Sequence, residues 1–270
     1  MGVKPKKVPL YQLLVSQGLC ANEKDARSWI MAGKVIVNNQ RIDKAGTPVP
    51  SASDIRLKGA GKYVGKGGYK LEGALSDFSV DVSGKVALDA GAAAGGFTDC
   101  LLQNGAARVY AVDAGFGALS GKLRNDHRVI NLERTNISDL SPGDFDPRPA
   151  VATVDLSYLS LRKAVPVIAR LLSSQGELIC LVKPLFEVSD ATARRTGIIA
   201  EPADYSEMLR ALLDYVRSTG LYVYGLTHSH IPGGKGTLEF FLHTGKIRPS
   251  YTAPIDIDAV VDSALALDRR

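Results

Sequence analysis

The sequence predicts an α/β fold, a doubly wound and mostly parallel sheet, with a small α+β module in front of it. Three observations predict this. From Tyr69 onward, short apolar strands alternate with helical segments, which is the pattern of βαβ crossovers. Residues 58–68, KGAGKYVGKGG, hold five glycines and three lysines and read as a hinge. Ahead of the hinge, residues 8–57 carry the spacing of two helices followed by a hairpin.

In the front module the helices read as Pro9–Gln17 and Glu23–Ala32, with Asn22 placed as an N-cap and Gly33 as a C-cap. A strand, Val35–Val37, then enters the polar turn Asn38-Asn39-Gln40 and returns through Arg41–Ile42. In the larger part the strands read as Val86–Asp89, Arg108–Asp113, Val129–Leu132, Val151–Asp155, Glu177–Val182, Leu221–His228 and Thr237–His243. Helical segments between the earlier strands imply parallel pairing. The last two are joined by Ser229–Gly236, too short for a crossover, and so pair antiparallel. A seven-stranded sheet with its last strand reversed is the Rossmann-like arrangement of class I methyltransferases. The tail, Ile255–Leu267, reads as one more amphipathic helix. The expected limits are 1–60 for the module, 61–68 for the hinge and 69–270 for the α/β body.

Hydrophobic residues make up 45% of the 270 and charged residues 23%, a balance that argues against global disorder. No apolar run reaches spanning length, and the basic N-terminus lacks the apolar stretch of a secretory signal. Cys20, Cys100 and Cys180 are far apart and odd in number, which suits reduced thiols in the cytoplasm. The net charge of +5 is unevenly spread: residues 1–70 carry 13 Lys and Arg against four Asp and Glu, the rest 20 against 24. A basic front end on a mildly acidic body points to a local polyanion contact. A solvated basic face without a partner would have the same charge pattern.

The module's segment LVSQGLCANEKDARSWIMAGKVIVNNQRIDKAGTPV resembles the alpha-L RNA-binding fold named after a small-subunit ribosomal protein. Where that family opens its second helix with Ser-Arg, this chain has Asn22-Glu23. Lys24, Arg27, Lys34, Arg41 and Lys44 are the candidate phosphate contacts.

The first strand of the body ends at Asp89 and enters the glycine-rich loop AGAAAGGFTD, with a helix after it. Small residues let a backbone approach a ligand closely, and the helix N-terminus offers unpaired N–H groups. The next strand ends at Asp113, placed to accept from ribose hydroxyls. Read alone, Gly91, Gly95 and Gly96 also fit tight turns and Asp113 a helix N-cap. The whole run LDAGAAAGGFTDCLLQNGAARVYAVDAGFGALSGKLRNDHRV resembles the TlyA family of hemolysin-like rRNA methyltransferases, related to FtsJ-type 2′-O-methyltransferases. The family loop usually carries Ser-Thr where this chain has Ala92-Ala93 or Ala93-Ala94. The resemblance implies S-adenosyl-L-methionine as cofactor, held by Asp89, Gly91, Gly95, Gly96, Phe97, Thr98 and Asp113, with Asn136 of the ERTN run near the adenine.

Four polar residues fall where a doubly wound sheet places its site: Lys70 in GKGGYKLEGAL, Asp155 in TVDLSYLSL, Lys183 in CLVKPLF and Glu239 in TLEFFLHT. Singly, each also fits a bland role, as a helix lysine, a helix N-cap, a strand end or a strand-surface acid. Together they are similar to the Lys-Asp-Lys-Glu tetrad of FtsJ-type and TlyA enzymes, in order and in strand context. The resemblance implies methylation of a ribose 2′-hydroxyl, at cytidine, in ribosomal RNA or its subunits. A 2′-hydroxyl is a poor nucleophile until it loses its proton, and a neutral amine is a competent acceptor. In this reading Lys183 is the general base and Lys70 positions the hydroxyl or the phosphate, with Asp155 and Glu239 orienting them.

Other residues are expected to do less. His228 and His230 alternate in a strand with no third ligand, so no metal site is expected. Trp29 reads as core packing, and Arg194 and Arg195 suit a phosphate contact or a solvated loop equally. Three other functions stay open: a methyltransferase of the same fold with another acceptor such as a small molecule, a noncatalytic RNA-binding or ribosome-assembly factor, and a membrane-lytic protein.

Overall fold

The computed structural model describes residues 7–20, 22–59, 61–157, 159–199 and 201–267. Residues 1–6, 21 and 60 of the expected module lie outside the described ones.

The front module starts with strand β1 (Lys7–Pro9) and helices α1 (Leu10–Ser16) and α2 (Glu23–Met31). Strands β2 (Val35–Val37), β3 (Gln40–Ile42), β4 (Pro48–Pro50) and β5 (Ile55–Leu57) follow. The side chain of Asn22 caps α2 by accepting from the N–H of Asp25 at 2.9 Å. The β2–β3 turn puts Asn38 and Asn39 at φ 47 and 68, the left-handed values that a tight hairpin needs and asparagine tolerates. Strand β3 therefore starts at Gln40, a residue expected in the turn. Leu10, Leu14, Ala26, Ile30 and Val35 form the fully buried heart of this unit. Besides the expected hairpin, β5 pairs with β2, and β1 pairs with β4.

The body opens with α3 (Lys66–Asp77), β6 (Val86–Ala90), α4 (Gly96–Gln103), β7 (Arg108–Asp113), α5 (Gly121–Arg124) and β8 (Val129–Glu133). It continues with β9 (Val151–Val154), α6 (Leu161–Leu171), β10 (Glu177–Val182), α7 (Pro184–Glu187), α8 (Ala191–Thr196) and α9 (Pro202–Ser218). The hairpin of β11 (Tyr222–His228) and β12 (Phe240–Gly245) and the helix α10 (Ile257–Leu267) complete it. The seven-stranded order is β11-β12-β10-β9-β6-β7-β8, and β12 runs antiparallel to both neighbours. Among the described residues, this is the expected sheet with its reversed strand.

Successive side chains of a strand point to opposite faces, so adjacent apolar residues feed two separate cores. Leu88 and Phe240 pack with α6, α9 and α10, whereas Ala87 and Phe241 pack with α3, α4 and α5. The strand sequence reverses direction between β6 and β9, and the crevice beyond their carboxyl ends is the ligand position of such sheets.

The module meets the body at Gly18, whose φ is +69 and where a Cβ would come within 2.8 Å of the Lys122 Cα. The Lys122 ammonium stands 3.1 Å from the buried carboxylate of Asp99 on α4. That carboxylate also accepts from the backbone N–H of Val64 at 2.9 Å, tying the expected hinge itself to α4. No helix among the described residues is long and apolar enough to cross a membrane.

Candidate active site

The loop after β6 fills the switch point. Gly91 has φ +92, and a Cβ there would collide with the carbonyl oxygen of Asp155 after β9. Glycine thus allows the two loops to touch. Gly95, at φ +94, abuts Leu119 and Leu123, and Gly96 lies against the backbone of Gly67 and Gly68 at the start of α3. The three loop glycines serve close packing of the loop onto its neighbours.

Beneath the loop, Asp89 is fully buried, and its carboxylate accepts from the hydroxyls of Thr98 at 2.6 Å and Thr153 at 3.1 Å. Burial pushes this carboxyl up to about 7, against the pull of the two threonine hydroxyls. Phe97 and Thr98 are buried as well. The side chains of Asp89, Phe97 and Thr98 therefore shape the loop from below.

Above it, Gly91, Val112, Asp113, Asn136, Asp155 and Leu156 line one cavity of about 470 Å³. That volume falls within the range of small-ligand pockets. Asp113 braces the cavity by accepting from the N–H groups of Ala93 at 2.8 Å and Gly115 at 2.7 Å. A carboxylate has about four acceptor positions, so two more remain for a diol. The Asn136 carbonyl accepts from Ser138 at 3.0 Å and starts a short helical turn at the cavity edge. Apolar walls with a carboxylate at one end suit a nucleoside.

At the carboxyl edge the four singled-out polar residues form two ion pairs. The Lys183 ammonium lies 2.5 Å from Asp155, and it donates to the Leu156 carbonyl and the Ser157 hydroxyl at 3.3 Å each. The Lys70 ammonium lies 2.5 Å from Glu239, with both side chains nearly buried. Strand β9 ends at Val154, so Asp155 stands one residue beyond it, its N–H still bonded to the Ala90 carbonyl at 2.9 Å. Strand β12 starts at Phe240, so Glu239 precedes the strand instead of lying inside it as expected, because the pairing with β10 begins only at Phe240. Because Val182 pairs with Phe240, the register sets Lys183 and Glu239 opposite each other just past the last pair. The sheet thus delivers both lysine–carboxylate pairs to one rim.

The described basic residues of the module are all exposed. Arg27 stacks on the ring of Tyr11 at 3.8 Å, Lys34 lies over Trp29 at 5.4 Å, and the Arg41 guanidinium packs against Gly33. Lys24 projects from α2, and Lys44 lies in the loop after β3. His228 and His230 face each other at 5.6 Å, with His230 on Asp77 at 3.0 Å. Among the described residues, no three His, Cys, Asp or Glu side chains gather as metal ligands.

Sequence reasoning missed Ser157 and Glu187. Glu187 is buried, accepts from the Leu161 N–H at 2.6 Å and the Ser160 hydroxyl at 2.7 Å, and so caps α6. Its signal was a lone acid one helical turn after Lys183-Pro184.

Residues 63–246 match the FtsJ-like methyltransferase family and residues 8–55 the S4 domain. A Bacillus subtilis protein, YqxC, provisionally named an rRNA methyltransferase, is 42% identical over 88% of this chain and 85% of its own. The 16S/23S rRNA (cytidine-2′-O)-methyltransferase TlyA of Mycobacterium tuberculosis is 36% identical over 85% of this chain and 86% of its own. A solved structure from Streptococcus thermophilus, provisionally named a hemolysin, superposes with a TM-score of 0.73 at 36% identity, covering 98% of both chains. With the glycine loop, the paired lysines and carboxylates and the S4 unit in one chain, this protein belongs to the TlyA family of FtsJ-like methyltransferases.

Proposed function

We propose that the protein methylates a ribose 2′-hydroxyl of ribosomal RNA, at cytidine, with S-adenosyl-L-methionine as donor. The observation that carries this reading is the pair of lysine–carboxylate contacts, Lys183–Asp155 and Lys70–Glu239, at one rim of the sheet, with Asp155 also lining the nucleoside-sized cavity. The printed activity of the Mycobacterium tuberculosis relative supports the choice of hydroxyl and nucleotide. The S4 domain and its exposed basic residues support RNA as the partner. Such a substrate assigns the protein to the cytoplasm.

Bound S-adenosyl-L-methionine supplies an electrophilic methyl group on a sulfonium sulfur. Asp113 would hold the donor's ribose hydroxyls and Asn136 its adenine, while Gly91, Gly95 and Gly96 hold the loop in shape over Asp89, Phe97 and Thr98. In its neutral form the Lys183 amine would take the 2′ proton as the oxygen–carbon bond forms and the methyl group parts from its sulfur, and Asp155, Leu156 and Ser157 fix where that amine points. Lys70, held by Glu239, steadies the acceptor hydroxyl or the phosphate beside it. Alignment of oxygen and methyl carbon provides a large part of the rate. Lys24, Arg27, Lys34, Arg41 and Lys44 grip phosphates and set the RNA register.

The test is transfer of labelled methyl to isolated ribosomal subunits and rRNA, with 2′-O-methyl sites mapped afterwards. Lys183→Ala is expected to cut kcat by about 10²- to 10⁴-fold. Undiminished activity in that variant rejects the general base. Donor binding without transfer to any rRNA points to a different acceptor.

A further inference from the structure

We infer that Glu187 is a positioning residue for the rim lysine Lys183, acting through the loop between β9 and α6. This rests on the methylation reading for its role in catalysis, though not for its geometry.

Two neighbouring loops meet at the rim. One follows β9 and runs from Asp155 to Ser160, the other follows β10 and runs from Lys183 to Glu187. They are joined at their near ends by the Lys183 amine, which touches Asp155, Leu156 and Ser157. They are joined at their far ends by the Glu187 carboxylate, which takes the Ser160 hydroxyl and the Leu161 N–H. Helix α7, opening at the buried Pro184, is a single turn that fixes the spacing between Lys183 and Glu187. The far joint therefore sets the length of slack available to the near one.

Glu187 is suited to the role. Its side chain is 1% exposed, and the nearest cation is Arg162 at 3.8 Å. The carboxylate also sits at the N-terminus of α6, where the helix dipole favours negative charge. Ser160 completes the knot, since its oxygen accepts from the Arg162 N–H at 3.1 Å while its hydroxyl donates to Glu187. Without Glu187, the buried Leu161 N–H and the half-buried Ser160 hydroxyl lose their acceptor, and the segment carrying Asp155, Leu156 and Ser157 is released at one end. Glu187 touches none of the reacting atoms.

The experiment compares the full-length wild type with Glu187→Ala, Glu187→Gln and Ser160→Ala. In methylation of ribosomal subunits, Glu187→Ala is expected to lose roughly 10- to 100-fold in kcat, the scale of a misplaced catalytic group, with donor affinity nearly unchanged. Glu187→Gln keeps an acceptor for Leu161 and is expected to restore most of the loss, and Ser160→Ala is expected to fall between them. A second readout needs no acceptor: competitive labelling of lysine amines with acetic anhydride, resolved by mass spectrometry. Lys183 of Glu187→Ala is expected to label several-fold faster than in the wild type, with Lys66 as exposed reference. If Glu187→Ala does not fold, Ser160→Ala takes its place in the labelling, with Glu187→Gln as the rescued control. Unchanged Lys183 labelling in Glu187→Ala, or in Ser160→Ala where that variant stands in for it, overturns the inference, whatever happens to thermal stability. A wild type inactive on rRNA sinks the methylation reading and leaves the labelling to judge Glu187.

Discussion

Asp89 shows how one buried acid can couple the donor loop to pH. Its carboxyl rises from 3.8 in the free residue to about 7, chiefly through burial. Between those two values the folded chain holds a proton that the unfolded chain has released. Stability from this group is complete below about 3.8 and fades as pH climbs through about 7. Asp89→Asn is expected to flatten the fall of Tm across that window in thermal melts. At low pH the same variant loses about 1–2 kcal/mol, because the amide brings a second N–H that the neutral acid lacks and the buried site must accommodate. A Tm that depends on pH as steeply in Asp89→Asn as in the wild type contradicts this account. At this scale the sequence was legible wherever chemistry and strand ends coincide. Lys183 before a proline at the end of an apolar strand, and Asp113 at the end of the next strand after the loop, were both visible. Asp99 and Glu187 were not, because their partners Val64 and Leu161 lie far away in the chain and carry no side-chain signature of the contact.

The glycine-rich loop is the element on which the site turns. Gly91→Ala forces a side chain into a left-handed conformation at φ +92 and into the Asp155 carbonyl. The first effect costs about 1–2 kcal/mol, and overpacking adds a further ~1–3 kcal/mol. A drop in Tm of roughly 5–15 °C is expected for a body of this size, measured by calorimetry, together with weaker donor binding. A variant with wild-type Tm and donor affinity would show that the two loops yield freely. The long strands of the body were readable from apolar runs bounded by turn residues. Strands β1 and β4 were not, since each is three residues with proline at one or both ends and displays no alternation. The ends of β9 and β12 shifted by one to three residues because the apolar run and the backbone pairing stop at different places.

Across the whole molecule, the charge asymmetry predicts a salt signature. Release of counterions on phosphate contact makes log affinity for structured RNA fall linearly with log salt. Combined Lys24→Gln, Lys34→Gln and Arg41→Gln changes are expected to raise KM for ribosomal subunits and to flatten that slope by roughly 2–3 units, at ~0.7–0.9 per lost contact. Donor affinity, measured in parallel by calorimetry, is expected to stay the same. An unaltered salt slope removes the module's basic face from the interface. Composition revealed this front-to-back division at once, but the seating of Gly18 on Lys122 needed the tertiary structure. The reversed strand β12 has a different kind of consequence. Every parallel strand reaches the crevice with its last residue, whereas β12 reaches it with its first. The connection from β11 therefore lies at that same rim, and at Gly233 it folds so tightly onto Glu239 that a Cβ would strike the carboxylate. Insertions and deletions in this arch would drag an acid of the site with them, whereas the turns at the opposite rim, such as Ser173–Gly176, can vary in length between lineages without moving any of the four charged groups.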